Sequence, residues 1–210
     1  MRKLILLVAI TLTSISTFAA MNFYTAELHL NDGSLKKGLA NFVEYEDGDY
    51  VYFKLSEKSD VEKIESSSIS KIVYTFDGED YDYEYLKVYK GWKQVKIKES
   101  PIWVEVIKRG IVTLYVARTT VEGGVGVGAM PSSRTSVGFR DYYVMRDGEP
   151  AAKLYATIST FNNNQTFRAK APLYFSDYPE LADKIKNKEY SWKNLEEVID
   201  IYNNWVEENK

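Results

Sequence analysis

The sequence predicts an α+β protein in which antiparallel β hairpins are followed by two C-terminal α-helices. The chain contains 17 tyrosines, most of them in alternating runs with Val, Ile and Phe, and such alternation is typical of β-strands. From Ser176 onward the apolar residues instead recur at the i, i+3 and i+4 positions of amphipathic helices. Because most connections between the strands are short, we expect antiparallel pairing.

Four Asp-Gly pairs indicate where the hairpin turns lie, since both residue types tolerate a positive φ angle. The pairs begin at Asp32, Asp47, Asp77 and Asp147. The predicted strands span residues 22–30, 35–44, 49–56, 61–65, 69–76, 81–89 and 93–98 in a first set, and 102–108, 111–118, 139–146 and 151–158 in a second.

The first five strands, within residues 22–76, form a compact group. Ala26, Leu28 and Leu30 share one face of the first strand, and Gly38 interrupts the second strand where a sharp bend can form. Two arrangements fit this pattern: a small curled barrel of the SH3-like type, or a plain twisted sheet.

Acidic residues are followed by lysines between residues 77 and 98. The acidic stretch includes Asp77, Asp80, Asp82 and Glu84, and a turn at Lys90-Gly91 would fold it onto the lysines. These four carboxylates are our candidate metal ligands, because hard cations prefer oxygen ligands. Their spacing lacks the order of an EF-hand loop, and a solvated acidic hairpin is the alternative.

The long connection at residues 119–137 contains several glycines but neither a Gly-Lys-Ser/Thr motif nor a following helix start. A phosphate-binding loop is therefore disfavoured. A connection of this length is unusual unless it is functional or disordered. Its polar side chains Ser132, Ser133 and Arg134 are our candidate partner-binding residues.

Two helices are predicted after Ser176. Asp177 can cap the first, with Pro179 in its first turn and Glu180 three residues after the cap. Ser191 opens the second helix. The apolar stripe of this helix indicates packing against the second set of strands. The stripe consists of Leu195, Val198, Ile199, Tyr202, Trp205 and Val206.

Composition excludes several functional classes. The chain has no cysteine and a single histidine, His29, so disulfides, cysteine-ligated zinc, iron–sulfur clusters and histidine-rich metal sites are absent. The formal net charge of -3 does not favour a nucleic-acid partner. We find no cofactor motif and expect no cofactor.

The N-terminus has the three-part pattern of a secretory signal. A basic start precedes an apolar run from Leu4 to Ile10, and Thr17-Phe18-Ala19 provides a cleavage site. Removing residues 1–19 leaves 25 basic and 30 acidic groups, a net charge of -5. We expect an exported protein, periplasmic or secreted, that has no integral membrane span once the signal is removed.

The expected organisation has four parts: the signal peptide at residues 1–19, a β-rich region at 20–98, a second antiparallel β region at 99–175, and a helical pair at 176–210 packed on the second sheet. The sequence leaves open whether the two β regions form one domain or two.

A resemblance to a group of proteins covers most of this mature chain. It is carried by the opening strand–Asp-Gly–Gly pattern of residues 25–39, by Val112-Thr113-Leu114-Tyr115, by Asp141-Tyr142-Tyr143-Val144 and, most specifically, by the segment from Tyr174 to Asn203. In these features the chain resembles uncharacterised exported, β-rich proteins of Bacteroidetes-type bacteria, which carry a domain of unknown function. The resemblance implies export and a β-then-α layout, and it implies no catalytic residues.

Together these observations favour a non-catalytic binding or interaction module that meets a protein or small-molecule partner in the periplasm or cell envelope. One alternative is a carboxylate-dependent hydrolase that uses the acids at 44–49 or 77–84. The other is a structural, envelope-associated component.

Overall fold

The computed structural model describes residues 21–43, 48–91, 93–123, 135–158 and 164–209, with the backbone alone for residues 119–123 and 135–138. The strands are β1 (Phe23–Leu30), β2 (Leu35–Asn41), β3 (Tyr50–Lys54), β4 (Glu62–Glu65), β5 (Ile69–Phe76), β6 (Glu79–Leu86), β7 (Tyr89–Lys90), β8 (Lys96–Ile97), β9 (Ile102–Lys108), β10 (Val112–Gly123), β11 (Thr135–Arg146) and β12 (Lys153–Ile158). The α-helices are α1 (Gln165–Tyr174), α2 (Pro179–Lys186) and α3 (Leu195–Glu208).

Ten of these strands form one sheet in the order β12-β11-β10-β9-β6-β5-β1-β2-β3-β4. Each adjacent pair is antiparallel, so the predicted α+β class with antiparallel strands is confirmed. The sequence placed a boundary between residues 98 and 99. In the structure β6 lies next to β9 across that boundary, so the two predicted β regions share a sheet.

The SH3-like barrel is not confirmed, because β1 to β5 continue into the larger sheet. This end of the sheet does curl around its own core. The indole nitrogen of Trp103 on β9 donates a hydrogen bond to the hydroxyl of Ser66, 3.1 Å away, just after β4. The backbone at Gly48, before β3, also lies against the Trp103 ring. The curl brings β9 close to the end of β4 and encloses an aromatic-rich core between them.

The predicted Asp-Gly turns are confirmed wherever the structure describes both of their residues. Gly33, Gly78 and Gly148 all have φ angles between 83° and 85°, and the first two join β1 to β2 and β5 to β6. The predicted fold of residues 77–98 onto themselves is wrong. Strand β6 pairs with β5 and β9, whereas the turn at Gly91 joins only the two-residue strands β7 and β8.

The helices cover one face of β10, β11 and β12. The predicted stripe of α3 is confirmed: Leu195, Val198, Ile199 and Tyr202 are buried in the core that this layer forms with the sheet. Ser191 accepts a hydrogen bond from the backbone of Lys193 and opens a short 3-10 helix that leads into α3. Among the described residues, no helix is both long and apolar enough to cross a membrane.

Two predictions about the helical region are wrong. Helix α1 lies within the region assigned to β structure. It contains Pro172 and has no side-chain cap, so its sequence pattern is weak. Asp177 does not cap α2, because its carboxylate is held 3.0 Å from the guanidinium of Arg146 and accepts a hydrogen bond at 2.6 Å from the hydroxyl of Tyr202. Burial and this hydrogen bond raise the pKa of Tyr202 to about 12.

One buried hydroxyl in this core lacks a hydrogen-bond partner. The Tyr155 side chain is fully buried between Phe167 and Phe175, and its hydroxyl has no partner among the described residues. We expect Tyr155→Phe to raise the free energy of unfolding by about 1 kcal/mol, because it removes an unsatisfied buried group. Urea unfolding measures this change.

Tyr174 provides the matched control for that substitution. Its hydroxyl donates a 2.9 Å hydrogen bond to Glu149, so Tyr174→Phe should destabilise the protein. If both substitutions destabilise it equally, the Tyr155 hydroxyl has a partner and the prediction is wrong.

Candidate functional site

A cluster of six aromatic rings lies on the concave face of the curled half of the sheet. Neighbouring ring centroids are 5.3–6.1 Å apart, and most pairs meet edge to face. We call this set the aromatic cluster; its members are Tyr24, Phe42, Tyr74, Phe76, Tyr81 and Tyr83.

The aromatic cluster has a buried side and a side open to solvent. Tyr74 and Tyr83 are buried, whereas Phe42 is 36% exposed and the remaining three rings are half-buried. The Tyr74 hydroxyl donates to the backbone oxygen of Asn41 at 2.5 Å. Burial, as the largest cause, raises the pKa of both Tyr74 and Tyr83 well above the usual value for tyrosine. The cluster therefore presents apolar ring surface on neutral phenols.

A buried carboxylate lies directly beside the aromatic cluster. Glu105 on β9 is only 6% exposed, and the sheet places it between Tyr83 on β6 and Val116 on β10. The Tyr83 hydroxyl faces it at 3.4 Å, and a guanidinium nitrogen of Arg118 lies 2.6 Å from it. A buried carboxylate needs such partners, because desolvating an unpaired charge is costly.

Arg118 combines a fixed position with exposure. Its side chain is 55% exposed although its guanidinium contacts Glu105. The pKa of Tyr81 is raised, chiefly by a hydrogen bond to Glu79. The charge of Glu105 also raises it, whereas the charge of Arg118 lowers it. Arg118 therefore lies within electrostatic reach of the exposed edge of the aromatic cluster.

A second arginine stands directly opposite the first. Strand pairing places Arg140 on β11 across from Arg118 on β10, and Arg140 is exposed. Like charges at opposed positions of neighbouring strands repel, and Glu105 neutralises only one of the two. The arginine site, which we define as Glu105, Arg118 and Arg140, therefore carries one net positive charge and suits an anion.

None of these residues was predicted from the sequence, although one signal was present. Glu105 interrupts the apolar run Ile102-Trp103-Val104-Glu105-Val106-Ile107. A charge within a buried strand requires a partner. Which arginine supplies it depends on strand pairing, and local sequence does not reveal that pairing.

The four candidate metal ligands lie on the side of β6 that faces away from the aromatic cluster, or in the turn before β6. Asp82 and Glu84 both contact Arg109, at 2.8 and 2.7 Å. Asp80 accepts a hydrogen bond from Thr75 at 2.7 Å, and Asp77 lies in the hairpin turn with a φ angle of 52°. Within the described part of the chain, no group of three or more His, Cys, Asp or Glu side chains could hold a metal ion.

The other predicted residues are dispersed or lie outside the described residues. Ser132, Ser133 and Arg134 fall in residues 124–134, outside the described ranges, as do the acids at 44–47. Asp49, the remaining acid of the 44–49 cluster, lies just before β3, and its backbone oxygen accepts a 2.9 Å hydrogen bond from the backbone nitrogen of Ser66. His29 lies half-buried on β1, paired in register with Leu35 and Lys71.

Comparisons with protein-family models, with curated proteins and with solved structures found no match.

Proposed function

We propose that this chain is an exported, non-catalytic binding module of the periplasm or cell envelope, and that it binds its ligand where the aromatic cluster meets the arginine site. The observation that carries the proposal is the pairing of exposed Arg118 with buried Glu105, next to partly exposed aromatic rings. Convergent polar groups beside an apolar surface are the usual composition of a ligand site.

The chemistry of this surface defines the ligand class. Glu105 orients the guanidinium of Arg118 before any ligand arrives, which lowers the entropy cost of binding. Arg140, opposite it, adds a second set of donors suited to a carboxylate. An anion between the two arginines would also relieve their mutual repulsion. The ligand is therefore one that carries a carboxylate next to an apolar or aromatic group.

Export rests on the N-terminal sequence and on the resemblance described above. Residues 1–19 have the basic, apolar and small-residue parts of a secretory signal. An exported chain without cysteine has no disulfide to stabilise it, and the aromatic packing of both halves of the sheet fits that requirement.

The hydrolase alternative gains no support from Asp82, Glu84 or Glu105. Asp82 and Glu84 contact the same arginine instead of facing each other across a cleft, and a glycosidase needs two carboxyl groups on either side of the scissile bond. Glu105, in turn, contacts Arg118.

The proposal predicts that the carboxylate contributes most of the affinity for a simple aromatic probe. We expect N-acetyl-tyrosine to bind about tenfold more tightly than N-acetyl-tyrosinamide, since the two differ in the charge that the arginines would meet. Titration followed by two-dimensional amide NMR measures both affinities, and the shifts should centre on Arg118, Arg140 and Tyr81.

Two variants make this experiment specific. Arg140→Gln removes an exposed arginine and should abolish the difference between acid and amide. Arg168→Gln changes the charge equally on the exposed surface of α1 and should leave the difference intact. Equal binding of acid and amide by the unmodified chain, or shifts far from the arginine site, would contradict the proposed function.

A further inference from the structure

A small hairpin lies on the face of the sheet opposite to the arginine site. Residues 87–91 and 93–98 contain β7 and β8, and backbone hydrogen bonds fix them beside the start of β12. The backbone oxygen of Lys87 accepts a 2.9 Å hydrogen bond from the backbone nitrogen of Ala152. The backbone nitrogen of Tyr89 donates a 3.0 Å hydrogen bond to the backbone oxygen of Ala152. The side chain of Gln94 donates to the backbone oxygen of Leu154 at 2.8 Å. The hairpin is therefore held firmly beside the edge strand.

The hairpin is strongly basic within an acidic protein. Residues 87–98 include five lysines and no acidic residue, whereas the whole chain has a net charge of -3. Lys90 and Lys96 pair in register on β7 and β8, and both are exposed, as are Lys87 and Lys93. Glu99 follows the hairpin in the chain, and the carboxyl of Asp141 interacts with Lys98. The local excess of positive charge is therefore large.

Two apolar residues alternate with lysines along this part of the chain. Val95 is 76% exposed and is the most exposed large apolar side chain of the described residues, and Ile97 is 37% exposed. Exposed apolar side chains that lie close together among charged ones can form an interaction surface. Lysines flanking apolar residues are the composition of segments that rest on anionic lipid headgroups.

We propose that this basic hairpin docks the protein on an anionic lipid bilayer surface, with the lysines on the headgroups and Val95 and Ile97 inserted between them. A lipid surface fits better than a soluble polyanion, because a polyanion would contact the lysines without covering the aliphatic side chains. This inference is independent of the proposed ligand site.

The two surfaces lie on opposite faces of the sheet. Val88, at the base of the hairpin, packs with Tyr115 and Ala117 of β10. Arg118 and Val116 alternate with those residues and project from the other face. A chain docked through the hairpin would therefore leave the aromatic cluster and the arginine site open to the aqueous side.

The test is sedimentation of the chain without residues 1–19 with lipid vesicles. We expect binding to vesicles of equimolar phosphatidylglycerol and phosphatidylcholine, and none to phosphatidylcholine alone. Binding should disappear in about 0.5 M sodium chloride, which shortens the screening length to a few ångströms. Replacing Lys90, Lys93 and Lys96 together by glutamine should weaken binding about 100-fold, and Val95→Ser should weaken it about fivefold.

A matched control separates local from net charge. The triple substitution of Lys184, Lys186 and Lys188 by glutamine removes the same charge from the C-terminal part of α2 and the turn after it, and it should bind like the unmodified chain. Thermal unfolding of each variant establishes that it is folded, and the lipid and salt comparisons on the unmodified chain need no variant.

Three results would overturn the inference. The first is equal binding to both vesicle types. The second is equal loss of binding in the two triple variants. The third is tight binding of soluble polyphosphate together with vesicle binding that Val95→Ser leaves unchanged, which would identify the hairpin as a polyanion site.

Discussion

Replacing Gly38 with alanine is expected to lower the free energy of unfolding by about 2–3 kcal/mol, at the upper end of overpacking costs. A Cβ atom at this position would lie 2.3 Å from the backbone oxygen of Lys54 and 2.7 Å from the ring of Phe53. The oxygen belongs to β3 beside β2, and the ring is buried in the core. Neither can retreat without disturbing the β2–β3 pairing. Urea unfolding followed by tryptophan fluorescence measures the loss.

Gly33 provides the control for this substitution. It lies in the turn between β1 and β2 with a φ angle of 85°, and nothing lies within 4 Å of a Cβ placed there. Asparagine tolerates that backbone conformation, so Gly33→Asn should be nearly neutral. If Gly38→Ala is equally mild, β2 and β3 can separate at no cost, and the close approach does not shape the curled half of the sheet.

Local sequence was sufficient to predict most strands and the turns that join neighbours. The pair Asp77-Gly78 illustrates the reason: both residues adopt positive φ angles, 52° and 85°, and the turn joins β5 directly to β6. The energetic preference is contained within two residues, so the sequence reveals it. The stripe of α3 could be predicted on similar grounds, because its 3.6-residue period is local.

The order of the strands could not be predicted in the same way. The charge step after Asp77 suggested a hairpin closed at Gly91, yet β6 pairs with β9 and the Gly91 turn joins only β7 to β8. Cross-strand charge pairs contribute too little to select a partner strand. Burial of Trp103 and Val104 on β9 is the larger effect, and it becomes visible only when distant strands are assembled.

The candidate site depends on that same long-range assembly. Tyr83, Glu105 and Arg118 lie on three successive neighbours of the sheet, β6, β9 and β10, and are separated by up to 35 positions in the chain. Each has an ordinary local explanation as a strand residue. The sequence indicates only that Glu105 needs a partner, whereas register determines that the partner is Arg118 and that Arg140 faces it.

The second large effect is expected at Asn203, which joins α3 to the start of β10. Its side-chain oxygen accepts a hydrogen bond from the backbone nitrogen of Val112 at 2.8 Å, and its amide donates to the backbone oxygen of Val112 at 3.1 Å. Asn203 is 8% exposed, so its removal would leave two buried backbone groups without these partners. We expect Asn203→Ala to lower the free energy of unfolding by about 2–4 kcal/mol, as measured by urea unfolding.

The adjacent residue separates the loss of the Asn203 hydrogen bonds from a general effect of alanine on the helix. Asn204 has the same side chain on the same helix but is exposed, and alanine is the better helix former. Asn204→Ala should therefore be neutral or slightly stabilising. Because α3 also contributes Leu195, Val198 and Ile199 to the core, Asn203→Ala should weaken the docking of α3 while the helix itself persists. Equal effects of the two substitutions would mean that apolar packing alone positions α3 on the sheet.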